Sequence, residues 1–138
     1  MKPRVYIDTS AYLGILLEQP SGNKHKKQSD SWTLCSSTLL ILESERNLVR
    51  FSREKKISEK ACQRAMEQLK ADVDTLILRD FMLELCLTGT FPAILTPRSL
   101  DLIHLRTAIW FAANGGLEKF ITLDEKQAAA ARELGLPV

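Results

Sequence analysis

Arg4-Val5-Tyr6-Ile7-Asp8-Thr9-Ser10-Ala11-Tyr12-Leu13 is the stretch whose reading decides the fold. Its first four residues are β-branched or aromatic, as a short strand requires, and Asp8-Thr9-Ser10 then breaks the apolar run with three side chains that cap helices or turn chains. From Ala11 to Leu17 the apolar spacing becomes helical. A strand that passes through one turn straight into a helix is the opening half of a crossover unit. Such units join parallel strands, because parallel neighbours cannot be linked by a hairpin.

Working outward, the same alternation repeats. Pro20 to Ser31 is polar, contains Gly22 and the run Lys24-His25-Lys26-Lys27, and reads as an exposed connection. Trp32 to Ser36 is a second strand. Two helices follow, Thr38 to about Phe51 and Ile57 to Ala71, the latter with Ser58 as its cap. Thr75 to Leu78 is a third strand, followed by a helix from Asp80 to Leu87 ending near Gly89, and Pro92 and Pro97 punctuate a loop. Ser99 is placed to cap a helix from Leu100 to Ala113, which Asn114-Gly115-Gly116 ends. Lys119 to Leu123 is a fourth strand, Asp124 to Leu134 a last Ala-rich helix, and the tail Gly135 to Val138 a candidate fifth, truncated or edge strand. The expected architecture is three-layer α/β, a central mostly parallel sheet of four to five strands flanked by helices.

The 138 residues make one ordinary domain, spanning 1–138, and 45% hydrophobic with 26% charged residues is globular composition. A net charge of +2 neither requires nor excludes a polyanionic partner, so a nucleic-acid reading has to rest on local features. Cys35, Cys62 and Cys86 are odd in number and widely spaced, with no C-x-x-C pair, which favours buried reduced thiols over zinc or redox chemistry. No apolar run approaches the ~18 residues of a membrane span, and Asp8 interrupts any signal-like stretch; a cytoplasmic protein without membrane contact is expected. There is no G-x-S-x-G elbow and no phosphate-binding glycine loop. His25 and His104 are too few for a histidine-based nuclease, and His104 reads as a partly buried packing residue.

In parallel sheets ligands gather beyond the carboxyl ends of the strands. Asp8 directly follows the first strand and Asp124 the fourth, so parallel strands would bring both carboxylates to one edge. Each acid also has an ordinary explanation. Asp8 can cap the Ala11 helix, Asp124 can cap its own in an Asp-x-x-Gln arrangement with Gln127, and Asp101 sits in a first helical turn that favours acids. Glu43 can be a solvated surface residue, and Glu45 beside it is equally eligible by helical period alone.

Four stretches taken together resemble the PIN-domain family and, within it, the VapC-like toxin endoribonucleases. They are Val5 to Leu13, then Ser37-Thr38-Leu39-Leu40-Ile41-Leu42-Glu43-Ser44-Glu45-Arg46, then Ser99-Leu100-Asp101-Leu102-Ile103-His104-Leu105-Arg106-Thr107-Ala108, and Phe120-Ile121-Thr122-Leu123-Asp124-Glu125-Lys126. The resemblance implies that Asp8, Glu43, Asp101 and Asp124 are catalytic metal ligands, with Glu43 preferred to Glu45 for its Glu-x-x-Arg spacing to Arg46. Thr9, Ser10 and Thr122 would hold these carboxylates, and Arg46 would orient Glu43 or meet a phosphate. Such a site suits Mg²⁺ or Mn²⁺, hard cations that prefer carboxylate oxygens. A divalent ion offsets the charge of a phosphodiester and makes water acidic enough to attack it. The reaction implied is hydrolysis of RNA to a 5′-phosphate and a 3′-hydroxyl.

Lys24, Lys26, Lys27 and Arg50 are candidate phosphate contacts, as are Arg53, Lys55 and Lys56. Trp32 could stack on bases, whereas Trp110 reads as core. The resemblance further implies a homodimer, with the helices between Thr38 and Ala71 as contact surfaces, and a small antitoxin that blocks the acidic groove. Three rivals stand beside this reading. They are a PIN-like RNA-processing nuclease that is not a toxin, a silent scaffold binding RNA or protein, and a receiver-like signalling module with Asp80 as its only strand-end acceptor.

Overall fold

The computed structural model describes residues 2–87, 94–95 and 98–138. Its four strands are β1 (Arg4–Ile7), β2 (Thr33–Ser37), β3 (Ile77–Arg79) and β4 (Lys119–Ile121). They pair in the order β3-β2-β1-β4, every pair parallel, so the expected three-layer α/β architecture is present with four strands. Val5 stands beside Leu34 on one side and Lys119 on the other, and Ile7 pairs with Ile121. The carboxyl ends of β1 and β4 are therefore level.

The helices are α1 (Thr9–Leu16), α2 (Pro20–Ser29), α3 (Leu39–Arg53), α4 (Glu59–Val73), α5 (Leu83–Leu87), α6 (Ser99–Ala113) and α7 (Glu125–Glu133). Strand alternation sorts them into layers. Tyr6 points to one face, where it packs with Cys35, Leu105, Phe111, Phe120 and Ala131 beneath α6 and α7. Val5 and Ile7 point to the other, against Ala11, Tyr12, Leu40 and Leu69 of α1, α3 and α4. A strand covered on both faces must be apolar throughout, which is why Val5-Tyr6-Ile7 is fully buried with no polar alternation.

Several boundaries differ from the sequence reading. Pro20 to Ser31 is largely exposed, as expected, but it is not an irregular connection. It contains α2, which starts on Pro20, where a missing N–H costs nothing, and buries Gly22 and His25. Gly22 lies so close to the Gly14 backbone of α1 that a Cβ there would collide with it, so α2 is held by a tight helix crossing that hydrophobic periodicity cannot reveal. Arg98 occupies the cap position of α6 and makes no side-chain cap bond, while Ser99 is already helical.

The tail forms no fifth strand. Phe120 donates its N–H to the Pro137 carbonyl at 2.6 Å, and Pro137 has no N–H with which to continue a ladder. The expected helix end near Gly89 and the loop at Pro92 and Pro97 lie outside the described residues. Of the thiols, Cys35 is buried, which pushes its pKa up to about 12, whereas Cys62 is half-buried and Cys86 is exposed, contrary to the expectation of three buried cysteines. Trp110 packs against the Tyr6 core as expected, under the Arg79 guanidinium at 4.0 Å. Among the described residues no helix is long and apolar enough to cross a membrane.

At its far end α6 stops at Asn114, followed by Gly115 with φ +106°, as the Asn-Gly-Gly sequence predicts. The Arg4 guanidinium closes that end, donating to the carbonyls of Phe111, Asn114 and Gly116 at 2.6–2.9 Å. One residue at the start of β1 thereby fixes the helix that carries Asp101.

Candidate active site

The sheet steps from β1 to β2 on one side, while β4 returns to the opposite side of β1. That reversal opens a crevice at the carboxyl ends of β1 and β4. Asp8 fills the end of β1 and caps α1, its Oδ1 accepting from the Ala11 N–H at 3.0 Å and the Ser10 hydroxyl at 2.7 Å. Ser10 Oγ in turn accepts from the Leu123 N–H at 3.0 Å and lies 3.2 Å from Thr122 Oγ1. Thr122 Oγ1 takes the Asp124 N–H at 3.1 Å. A short hydroxyl chain thus ties the ends of the two strands together. Asp8 is 5% exposed, and burial raises its pKa despite the Thr122, Ala11 and Ser10 hydrogen bonds.

Asp124 caps α7 through Oδ1, which accepts from Lys126 N at 2.9 Å and Gln127 N at 3.3 Å. Capping and site membership are therefore not alternatives for Asp8 or Asp124; each does the first while lining the cleft. The reciprocal half of the expected Asp-x-x-Gln arrangement is absent. The Gln127 amide donates instead to the Asp101 carbonyl at 3.0 Å and anchors α6 beside α7.

Glu43 projects from α3 and places Oε1 2.8 Å from Thr9 Oγ1 and 2.7 Å from His104 Nε2. Burial pushes its pKa up, but the hydrogen bonds from His104 and Thr9 outweigh that cost and hold the carboxyl below its ordinary value. Glu43 lines the cleft, whereas Glu45 and Arg46 are exposed and do not. The partners that hold Glu43 are Thr9 and His104, so the role expected of Arg46 in orienting it falls to them.

His104 is the residue that sequence reasoning missed. It is buried on α6, one turn after Asp101, with Nδ1 2.7 Å from the Tyr6 hydroxyl. Its i,i+3 spacing from Asp101 was the available signal, since both then share one helix face.

Asp101 stands in the first turn of α6. Its Oδ2 is buried without a hydrogen bond, and its nearest cation is the exposed Arg98, Nε to Oδ2 3.7 Å. Burial raises its pKa; Arg98 opposes this, and the charges of Asp124 and Glu43 raise it further.

All four acids open onto one cleft of about 390 Å³, shared with Thr9, Ser10 and His104 and rimmed by Arg50 and Arg98. Lys24, Lys26 and Lys27 lie on α2 and do not line it, and Lys26 pairs with Glu18. Trp32, Trp110 and Asp80 also lie outside it. A larger groove of about 670 Å³ runs between α1, α2 and α4, past Tyr12 and Arg64, but none of the four acids faces it. The smaller cleft is the candidate because the titratable groups converge there.

Three features of the cleft fit a hard divalent cation. Its donors are oxygens, Asp101 Oδ2 has no hydrogen bond, and crowding plus burial raise the pKa of two of its carboxyls. Among the described residues no group of three or more acid, His or Cys side chains stands ready to hold an ion, so binding would require the carboxylates to draw together. Compared with protein-family models and with curated proteins, the chain matches none.

Proposed function

We propose that the chain is a Mg²⁺- or Mn²⁺-dependent endoribonuclease of the PIN-domain kind, the toxin partner of a small antitoxin, acting in the cytoplasm as a homodimer. The observation that carries this reading is the convergence of Asp8, Glu43, Asp101 and Asp124 on one cleft from four separate elements. The four acids lie 23 to 116 positions apart in the sequence, and strand-end logic alone brings together only Asp8 and Asp124.

Asp8, Asp101, Asp124 and Glu43 would hold the cation. When bound, it would supply charge neutralisation at the phosphodiester and a more acidic water for attack. The chain's own residues prepare for it. Ser10 and Thr122 keep the β1 and β4 ends in register, so that Asp8 and Asp124 face the same space. Thr9 and His104 occupy one oxygen of Glu43 and keep it ionised. Arg50 and Arg98 stand at the rim, where guanidinium groups suit phosphates on either side of a scissile bond.

Incubation of the protein with single-stranded RNA in Mg²⁺, Mn²⁺ or chelator tests the proposal. Cleavage is expected only with metal, leaving 5′-phosphate ends, and is expected to disappear in Asp8→Asn and Asp101→Asn. Cleavage that persists undiminished in both variants contradicts the proposed site. RNA binding without cleavage in either metal would favour the silent-scaffold reading.

A further inference from the structure

His104 lies at the centre of a hydrogen-bonded chain that crosses the molecule from core to cleft. At its inner end is Tyr6, fully buried in β1, stacked on Phe120 at 5.4 Å and meeting the His104 ring edge-on at 5.9 Å. Burial raises the pKa of Tyr6 well above its ordinary value, so its hydroxyl keeps its proton. That hydroxyl lies 2.7 Å from His104 Nδ1. The neighbouring Ser36 and Thr107 hydroxyls donate their own protons to the carbonyls of Ile7 and Ile103. At the outer end Nε2 lies 2.7 Å from Glu43 Oε1, with Thr9 Oγ1 3.2 Å away.

The directions of these bonds follow from the inventory of donors and acceptors. An ionised carboxylate only accepts, so Glu43 Oε1 must receive the hydrogen on Nε2. A neutral imidazole with hydrogen on Nε2 presents Nδ1 as an acceptor, and the Tyr6 hydroxyl, 2.7 Å away, is placed to donate to it. Tyr6 therefore selects the tautomer, and the tautomer lets His104 grip Glu43. Because Thr9 donates to the same Oε1, both bonds fall on one oxygen and leave Oε2 out of the network. The carboxylate is thereby fixed in orientation by two elements other than its own helix.

We propose that His104, locked by Tyr6 in the Nε2–H form, is the positioning residue for Glu43, setting which carboxylate oxygen the cleft presents to a divalent cation. In its metal-directed part the inference rests on the nuclease reading; the tautomer and the grip on Glu43 do not. Outer partners of this type change metal affinity or activity by about 10–100-fold when removed.

The test uses the full chain. In a long-range ¹H–¹⁵N spectrum of the imidazole rings, with His25 identified through His25→Gln, His104 is expected as a single neutral Nε2–H tautomer. Tyr6→Phe keeps the ring stacking but removes the hydroxyl, and should turn that signal into a mixture of tautomers. His104→Leu, checked for folding by circular dichroism, should weaken binding of Mn²⁺ alone by about 10-fold or more and lower kcat on RNA with KM within about twofold. His104→Gln keeps an amide donor and should recover a large part of both.

An Nδ1–H tautomer or an imidazolium in the wild type overturns the proposal. So does a folded His104→Leu with undiminished Mn²⁺ affinity, or a His104→Gln as defective as His104→Leu. If the wild-type chain cleaves no RNA, the nuclease reading fails by itself, and the spectrum and Mn²⁺ affinities still decide the role of His104.

Discussion

Replacing Ser10 by Ala removes one oxygen that serves three partners. Its hydroxyl donates to Asp8 Oδ1 at 2.7 Å, accepts the Leu123 N–H at 3.0 Å and meets Thr122 Oγ1 at 3.2 Å. Net contributions of about 1 kcal/mol per hydrogen bond, together with a partly buried Leu123 N–H left without its acceptor, put the loss at about 2–3 kcal/mol. With an unfolding entropy of ~2.1 cal/mol/K per residue, that lowers the melting temperature by about 7–10 °C.

A second consequence concerns acidity. The folded Asp8 pKa lies above its ordinary value of 3.8 because burial disfavours the charge. The native state therefore holds this proton longer than the unfolded chain does. Its contribution to stability is full below 3.8 and is lost as pH rises through the folded pKa. Loss of the Ser10 donor raises the folded pKa further and carries that decline to higher pH. Urea denaturation across pH, with the slope m checked for constancy, and carboxyl ¹³C titration of Asp8 measure both effects. A melting temperature within about 2 °C of wild type, or an unmoved Asp8 titration, would refute the proposed bridge between the strand ends.

Three further outcomes follow from the same geometry. Asp101→Asn should stabilise the metal-free protein at neutral pH by about 0.5–2 kcal/mol, because it removes a charge that burial and the neighbouring carboxylates disfavour. Since the folded Asp101 pKa is raised, the gain should vanish below 3.8, where the wild-type carboxyl is protonated in both states; urea denaturation at pH 7 and pH 3 checks this. Gly22→Ala should cost about 1–3 kcal/mol by forcing α2 off the Gly14 backbone, visible as a lower urea midpoint. Arg50→Gln and Arg98→Gln should each weaken binding of single-stranded RNA and reduce the slope of log K against log salt by about 0.7, a measurement made by fluorescence anisotropy in chelator.

Legibility in the sequence followed the physics of each segment. β1 could be read because a strand buried on both faces has to be apolar, and Asp8 could be placed because strand ends in a parallel sheet share an edge. α2 could not. Its residues carry no apolar period, and what makes it a helix is Pro20 at its start and a glycine-to-glycine contact with α1. The four acids do line one cleft, yet the reason for preferring Glu43 to Glu45 is a spacing to Arg46 that the structure does not use. The bonds that hold Glu43 come from Thr9, 34 positions away, and His104, 61 away. A histidine that only packs and one that hydrogen-bonds a distant carboxylate look the same in sequence until the partner is known. The tail's failure to form a strand, by contrast, was written in Pro137.

Mn²⁺ titration of the full chain, followed by electron paramagnetic resonance, tests most directly whether the acid cleft is a metal site. The account predicts saturable binding to the wild type that weakens by at least about 10-fold in both Asp8→Asn and Asp101→Asn. Absence of saturable binding, or equal affinity in the wild type and both variants, would contradict it.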